Sequence, residues 1–214
     1  MFKPQVTTEK AKLIERNTRL QSKSRLWHEE RKWRITASKF GQVVNATARR
    51  NMSLLCKSIF APKDLKGKAV MHGRKYEARA LKKLEEERGV VVQSCGLFVS
   101  AKYPYLAATP DGITTDHIIE VKCPYKGRNE IIRKSTVYFS FLEEVDGKLN
   151  LKKNHSYFAQ IQGQLLICGR EKCVLVVYTF VDCIFIDISL DHDYCENILL
   201  PIFHTSILNT TDHM

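Results

Sequence analysis

Asp111 lies in the turn Pro110-Asp111-Gly112, and Glu120 and Lys122 follow in the stretch "IIEVKCPY". Side chains alternate across a strand, so Glu120 and Lys122 share one face while Ile119 and Val121 share the other. Burying a lone charge is costly, and a structural Glu–Lys pair rarely outperforms apolar packing. If 106–114 and 117–123 pair as a hairpin, Asp111 approaches Glu120. Two adjacent carboxylates repel unless a cation sits between them, and hard oxygen ligands of this kind suit Mg2+ or Mn2+. Lys122 would then lie where it can position and help activate a water. Read singly, Pro-Asp-Gly is an ordinary turn; the combination in this order is far more specific.

Two flanking segments carry the same kind of anomaly. In 69–88 an apolar stripe runs through Gly73, Ala80, Leu81 and Leu84, and Glu77 falls on it. Glu85, Glu86 and Glu87 are a solvated charge run. In 155–168 one face collects Tyr157, Gln160, Ile161, Gln164, Leu165 and Cys168, so Gln160 is a polar group in a mostly apolar stripe. Taken alone, a buried glutamine usually just satisfies a backbone group.

The elements that must position these residues follow from periodicity and punctuation. Residues 8–33 read as helical. "ITASKFGQVVN" reads as a helix start with Thr36 or Ser38 near the N-cap, and "SLLCKSIF" as a short helix. The helix over 69–88 ends at Gly89, and the one over 155–168 at Gly169. "VVVQSCGLFVS", "LAAT", "HIIEVKCP", "CVLVVYTF" and "CIFIDISL" read as strands. "EEVDGKLNL" reads as a hairpin with an Asp-Gly turn, and 191–208 as a terminal helix. The expected fold class is α/β, a short mixed sheet flanked by helices.

Composition narrows the partners. The chain has 214 residues, enough for one domain with a real core. No apolar run approaches the roughly 20 residues of a membrane span, so no membrane association is expected. The start "MFKPQVTTEKAK" lacks a signal-peptide core, so the expected location is intracellular, nucleus or cytoplasm open. Seven cysteines without a CxxC pair point to reduced thiols rather than a disulfide framework or a structural zinc site. The net charge is +11, and residues 1–50 hold 13 basic against 4 acidic side chains. A basic arm on a near-neutral body fits a polyanion such as nucleic acid.

D-x(8)-E-x-K, preceded by a helical glutamate and followed by a glutamine-bearing helix, resembles the PD-(D/E)XK (restriction-endonuclease-like) nuclease superfamily. The segments "RKWRITASKFGQVV", "HGRKYEARALKKLEE", "TPDG", "IIEVKCPY" and "SYFAQIQGQL" are similar to the YqaJ viral recombinase and lambda exonuclease branch, in that family's order. The resemblance implies a single nuclease domain over 1–214, with 1–34 a basic helical arm and 128–154 a variable insertion. It makes Asp111 and Glu120 metal-binding carboxylates, joined by the Val121 backbone carbonyl and by Glu77. Lys122 matches the lysine beside the attacking water and Gln160 a supporting glutamine. Arg31 and Ser38, seven residues apart, match a pair that holds a terminal 5′ phosphate; Thr109 and Tyr157 are further DNA-contact candidates. Thr109 stands where serine is frequent, which keeps a hydroxyl.

The implied activity is a Mg2+-dependent deoxyribonuclease, Mn2+ being an alternative ion. It would be a 5′-to-3′ exonuclease on duplex DNA, serving recombination or end processing from a 5′-phosphorylated end. A homotrimer and a single-strand annealing protein partner are expectations by analogy alone. Two other readings use the same residues: a structure-specific or restriction-like endonuclease, and a catalytically inert nucleic-acid-binding module. The complete set Glu77, Asp111, Glu120 and Lys122 speaks against the inert module.

Overall fold

A computed structural model describes residues 5–46, 67–135 and 137–203. The helix expected over 8–33 is broken. Helix α1 (Thr8–Asn17), N-capped by the Thr7 hydroxyl, is followed by a 3-10 turn (Gln21–Lys23) and then by α2 (Arg25–Arg31), capped by Ser24. The break is non-local in origin: Gln21 sits at φ 46° and its amide donates to the carbonyls of Cys95 and Pro110, at 3.0 and 3.2 Å. β1 (Ile35–Thr36), a 3-10 turn (Ala37–Lys39) and α3 (Phe40–Val44) come next. Ser38 therefore lies in the tight turn before a helix of only five residues, not at the N-cap of a long one, and Thr36 caps that turn without a side-chain hydrogen bond. The expected helix "SLLCKSIF" lies outside the described residues.

The long helix α4 (Lys68–Arg88) ends at Gly89, whose φ of +62° and N–H bond to the Glu85 carbonyl close it in the left-handed conformation that glycine adopts freely. Of the strand expected over "VVVQSCGLFVS", only β2 (Phe98–Val99) forms, with Gln93 making an isolated bridge to Ile113. β3 (Leu106–Ala108), β4 (Gly112–Ile113) and β5 (His117–Lys122) follow. β6 (Leu142–Val145) and β7 (Lys148–Leu151) form the Asp-Gly hairpin, both turn residues at positive φ. α5 (Ser156–Cys168), β8 (Lys172–Tyr178) and β9 (Cys183–Ser189) precede α6 (His192–Tyr194), which runs on into a π-helical turn, Cys195–Leu199. The part of the expected terminal helix beyond 203 lies outside the described residues.

Two sheets organise the core. The larger has the order β4-β5-β8-β9, with β5 and β8 parallel (Glu120 opposite Leu175) and the outer pairs antiparallel. One face packs Ile119, Val121, Val174 and Val176 against Ala80 and Leu84 of α4. The other packs Ile118, Leu175 and Val177 against Phe158, Ile161 and Leu165 of α5. The smaller sheet, β1-β3-β2, covers Val6 and Ile14 of the N-terminal segment with Leu97, Val99 and Ala107. The expected hairpin is thus split. β4 pairs with β5, but 106–108 belongs to the second sheet, because β3 is claimed by β1 and β2. Among the described residues the fold is the mixed α/β arrangement expected, with short sheets flanked by helices.

α3 lies hard against α5. A Cβ on Gly41 would fall 2.3 Å from the Ser156 Cβ, and one on Gly163 would fall 2.2 Å from the Phe40 ring. The two glycines set the spacing between the Ser38 turn and the helix that carries Gln160. The described cysteines are free thiols, and no described helix is long and apolar enough to cross a membrane.

Candidate active site

Strand alternation places Glu120 on the α5 face of β5, and the side chain is almost fully buried, 3% exposed. Each of its carboxylate oxygens is held. The Gln160 amide donates to Oε1 at 2.6 Å, the Gln164 amide donates to Oε2 at 2.7 Å, and Lys122 Nζ also donates to Oε1. Gln160 and Gln164 are one helical turn apart on α5, so a single helix face grips both oxygens. Lys122 reaches Gln160 Oε1 at 3.4 Å and lies 4.4 Å over the Tyr157 ring. Burial pulls its ammonium down, but Glu120 and Asp111 outweigh that, so its pKa is raised and it stays charged.

The β4–β5 pairing brings Asp111 to Glu120. The Asp111 N–H donates to the Ile119 carbonyl at 2.9 Å, and its Oδ2 accepts the Val121 N–H at 2.7 Å. Burial, then the charges of Glu120 and Glu77, push the Asp111 carboxyl well above the usual range. Glu77 comes from the opposite layer, one turn before Ala80 on α4. Burial and then Glu120 raise it as well. It lies close enough to the end of β5 that, after burial, its charge is the next contribution pushing the Cys123 thiol to about 12.

Asp111, Glu77 and Glu120 thus act on one another through their charges, with Lys122 the cation paired to Glu120. Among the described residues no three His, Cys, Asp or Glu side chains converge as a ready-made metal cage. The donor set nonetheless fits a hard divalent ion, which is commonly held by one or two carboxylates with substrate oxygens and water completing the shell. Asp111 and Glu120, which the β4–β5 pairing brings together, are the carboxylates that would supply such a pair.

A cleft of about 210 Å3 joins this centre to the N-terminal segment; its wall includes Arg31, Ser38, Thr109, Asp111, Glu120 and Gln160. Arg31 stacks 4.0 Å over the Trp27 ring, and Trp27 Nε1 donates to the Thr109 hydroxyl at 3.1 Å. Burial lowers the Arg31 pKa to about 10, so the guanidinium remains charged at neutral pH. No carboxylate pairs with it among the described residues. Ser38 is an exposed residue whose Oγ lies 3.1 Å from Thr36 Oγ1. A larger cleft of about 650 Å3, between β9 and the β6–β7 hairpin, shares none of these residues.

Three contributors escaped sequence reasoning. Gln164 stood on the same helix face as Gln160, and the i, i+4 spacing of two glutamines in a buried stripe was the available signal. Trp27 and Gln21 act through long-range contacts that no local pattern announces.

Residues 26–171 match the model of the YqaJ-like viral recombinase domain. An uncharacterized protein of Acanthamoeba polyphaga mimivirus is 27% identical over 175 residues, 75% of this chain; the chain spans only 31% of that relative's length. The fold matches an alkaline exonuclease from Laribacter hongkongensis, with a TM-score of 0.63, 22% identity, and 86% of this chain and 92% of that one covered. It also matches the Shutoff and Exonuclease Protein of Kaposi's sarcoma associated herpesvirus, with a TM-score of 0.60, 12% identity, and 94% and 71% covered. With the family model spanning the Arg31–Ser38 turn, both carboxylates and the glutamine helix, this chain belongs to the YqaJ-like viral recombinase domain family.

Proposed function

We propose that the protein is a metal-dependent deoxyribonuclease that degrades duplex DNA from a 5′-phosphorylated end, 5′ to 3′, with Mg2+ as the working ion and Mn2+ as a substitute. The observation that carries this reading is the shared cleft: an unpaired guanidinium, Arg31, lines the same cavity as the crowded carboxylates Asp111 and Glu120. A centre that only cut internal bonds has no need of a half-buried cation reserved beside it.

Each residue then has a task. A divalent ion, once bound, lowers the pKa of the attacking water and offsets charge on the scissile phosphate. Asp111 and Glu120 would hold it, with the Val121 carbonyl as a further ligand; Gln160 and Gln164 fix the Glu120 carboxylate so that little reorganisation is needed. Lys122, kept protonated, orients the water and stabilises developing negative charge. Glu77 adds charge near the water. Arg31 donates two parallel hydrogen bonds to the terminal phosphate, and the Ser38 hydroxyl donates a third. Thr109, held by Trp27, and Tyr157, under Lys122, line the path of the strand.

The solved relatives add fold-level support: the herpesvirus protein has been captured with DNA and with RNA. The decisive test is digestion of linear and relaxed circular duplexes of equal sequence, with Mg2+ or with EDTA. Loss of the linear duplex only, and only with the ion, is expected. Cutting of the circle would favour the endonuclease reading, and no cutting of either would favour an inert binding module.

A further inference from the structure

Beyond the end of β5 lies a group of aromatic rings that the catalytic account does not use. His72 and Tyr76, on adjacent turns of α4, have ring centroids 4.6 Å apart. Tyr125, from the loop after β5, stands edge-on to His72 at 5.6 Å. Phe180, from the β8–β9 turn, completes the group at 5.5 Å from His72 and 4.8 Å from Tyr76. Phe180 is 44% exposed and its neighbour Val181 is 60% exposed, so a turn tip presents apolar surface to water. His72 is 8% exposed, and its Nε2 has no hydrogen-bond partner among the described residues.

The rim of the patch is cationic. Arg128 lies 4.5 Å over the Tyr125 ring, and Lys75 and Arg79 lie 5.4 and 5.2 Å over Tyr76. None of the three forms an ion pair with a carboxylate among the described residues. The imbalance reaches inward: burial lowers the His72 pKa, and Arg128 and Lys75 lower it further. The patch is also braced before any ligand arrives. The Phe180 N–H donates to the Arg128 carbonyl at 2.8 Å, Arg128 Nη1 donates to the Tyr125 carbonyl at 2.7 Å, and Asp182 Oδ2 accepts the Ile132 N–H at 2.9 Å.

We propose that this patch is a binding site for single-stranded DNA, with unpaired bases stacking on Phe180, Tyr76 and Tyr125 and phosphates lying on Lys75, Arg79 and Arg128. Interleaved aromatic faces and unpaired cations are the chemistry that holds a single strand without regard to sequence, since every base has a π-face and every linkage a charge. A duplex would use the cations and leave the rings idle, because its bases are already stacked. Only Cys123 and Pro124 separate Lys122 from Tyr125, a span of at most about 11 Å, so the strand bound here passes beside the catalytic centre. That this strand is the one left unpaired by excision rests on the activity proposed above.

The experiment measures fluorescence anisotropy of a labelled 20-mer of thymidylate, and of a hairpin duplex of equal charge, with the full-length protein in EDTA so that nothing is cut. Phe180→Leu keeps the apolar bulk but removes the ring; Phe180→Trp keeps a ring. Losing one stacked base should weaken thymidylate binding by about 5- to 100-fold, with duplex affinity unchanged and Phe180→Trp near wild type. Unchanged thymidylate affinity in Phe180→Leu, or equal loss on strand and duplex, overturns the proposal; so does tighter binding of a uridylate RNA of the same length. Unchanged duplex affinity doubles as a check that the variants fold. Digestion of linear duplex with Mg2+ is scored separately. If strand binding depends on the ring but nothing is cut, the platform stands and the catalytic reading falls; cutting with ring-independent binding gives the converse.

Discussion

At the scale of single residues, the site is a set of charges held where they repel. Asp111 and Glu77 keep raised pKa values because burial and Glu120 both disfavour their ionised forms. The sign of the consequence follows from linkage. A carboxyl raised in the folded state binds its proton more tightly there than in the unfolded chain, so its ionisation subtracts stability above the folded pKa. That loss disappears as the pH falls toward the unfolded value near 4. Without a divalent ion, the Asp111→Asn protein should therefore unfold at a higher temperature than the parent at pH 8, and the gap should close by about pH 4. Melting curves in EDTA across that range check it; a gap that widens on acidification contradicts the assignment. Arg31 carries the opposite kind of anomaly, a half-buried cation with no carboxylate partner among the described residues. A terminal phosphate bears nearly two charges, and a charge-assisted contact to it is worth roughly 1.5–3 kcal/mol. Rates on 5′-phosphorylated ends should exceed those on 5′-hydroxyl ends by about one to two powers of ten, and Arg31→Ala should erase most of that difference. Equal loss on both ends would make Arg31 one more basic residue of a nonspecific arm.

At the scale of elements, α5 does two jobs. Gln160 and Gln164 grip Glu120, while Gly163 lets Phe40 pack against its backbone and so seats the Ser38 turn. Gly163→Ala should force the Phe40 ring aside and destabilise the fold by about 1–3 kcal/mol, seen as a lower denaturation midpoint at unchanged slope. It should also weaken the 5′-phosphate preference more than it weakens cleavage of hydroxyl ends. Stability within ~0.5 kcal/mol of the parent would mean that α3 yields freely. The elements that were legible in the sequence are those written in local code: α4 and α5 with Gly89 and Gly169 at their ends, the Asp-Gly hairpin, and strands β5, β8 and β9. The break between α1 and α2 was not, because Gln21 is bent by carbonyls more than 70 residues away in sequence. Nor was the division of 106–114 between two sheets, because β3 could pair as well with β1 as with β5 on any local criterion. Ser38 read as a cap for the same reason: a polar residue before an apolar run does not reveal how short the helix will be.

At the scale of the whole molecule, the segment from β3 to β5 links two sheets, and one cleft is lined by Arg31, Asp111 and Glu120. The charge distribution serves the same cleft. The excess of basic residues lies in the first 50 positions, which supply Arg31, Ser38 and the Trp27 that stacks on Arg31. Glu120 and Lys122 were legible because they break the apolar pattern of β5, and Asp111 because it sits in the Pro-Asp-Gly turn at a fixed spacing before them; Gln164 was passed over because a glutamine in a buried stripe usually satisfies backbone. The central claim is that Asp111 and Glu120 together hold the ion that drives hydrolysis. It is tested most directly by single-turnover cleavage of a 5′-phosphorylated linear duplex, at saturating protein and Mg2+, by the parent, Asp111→Asn and Glu120→Gln. The account predicts a fall of at least ~100-fold in both variants, with duplex affinity retained or increased. Near-normal cleavage by either purified variant would contradict it.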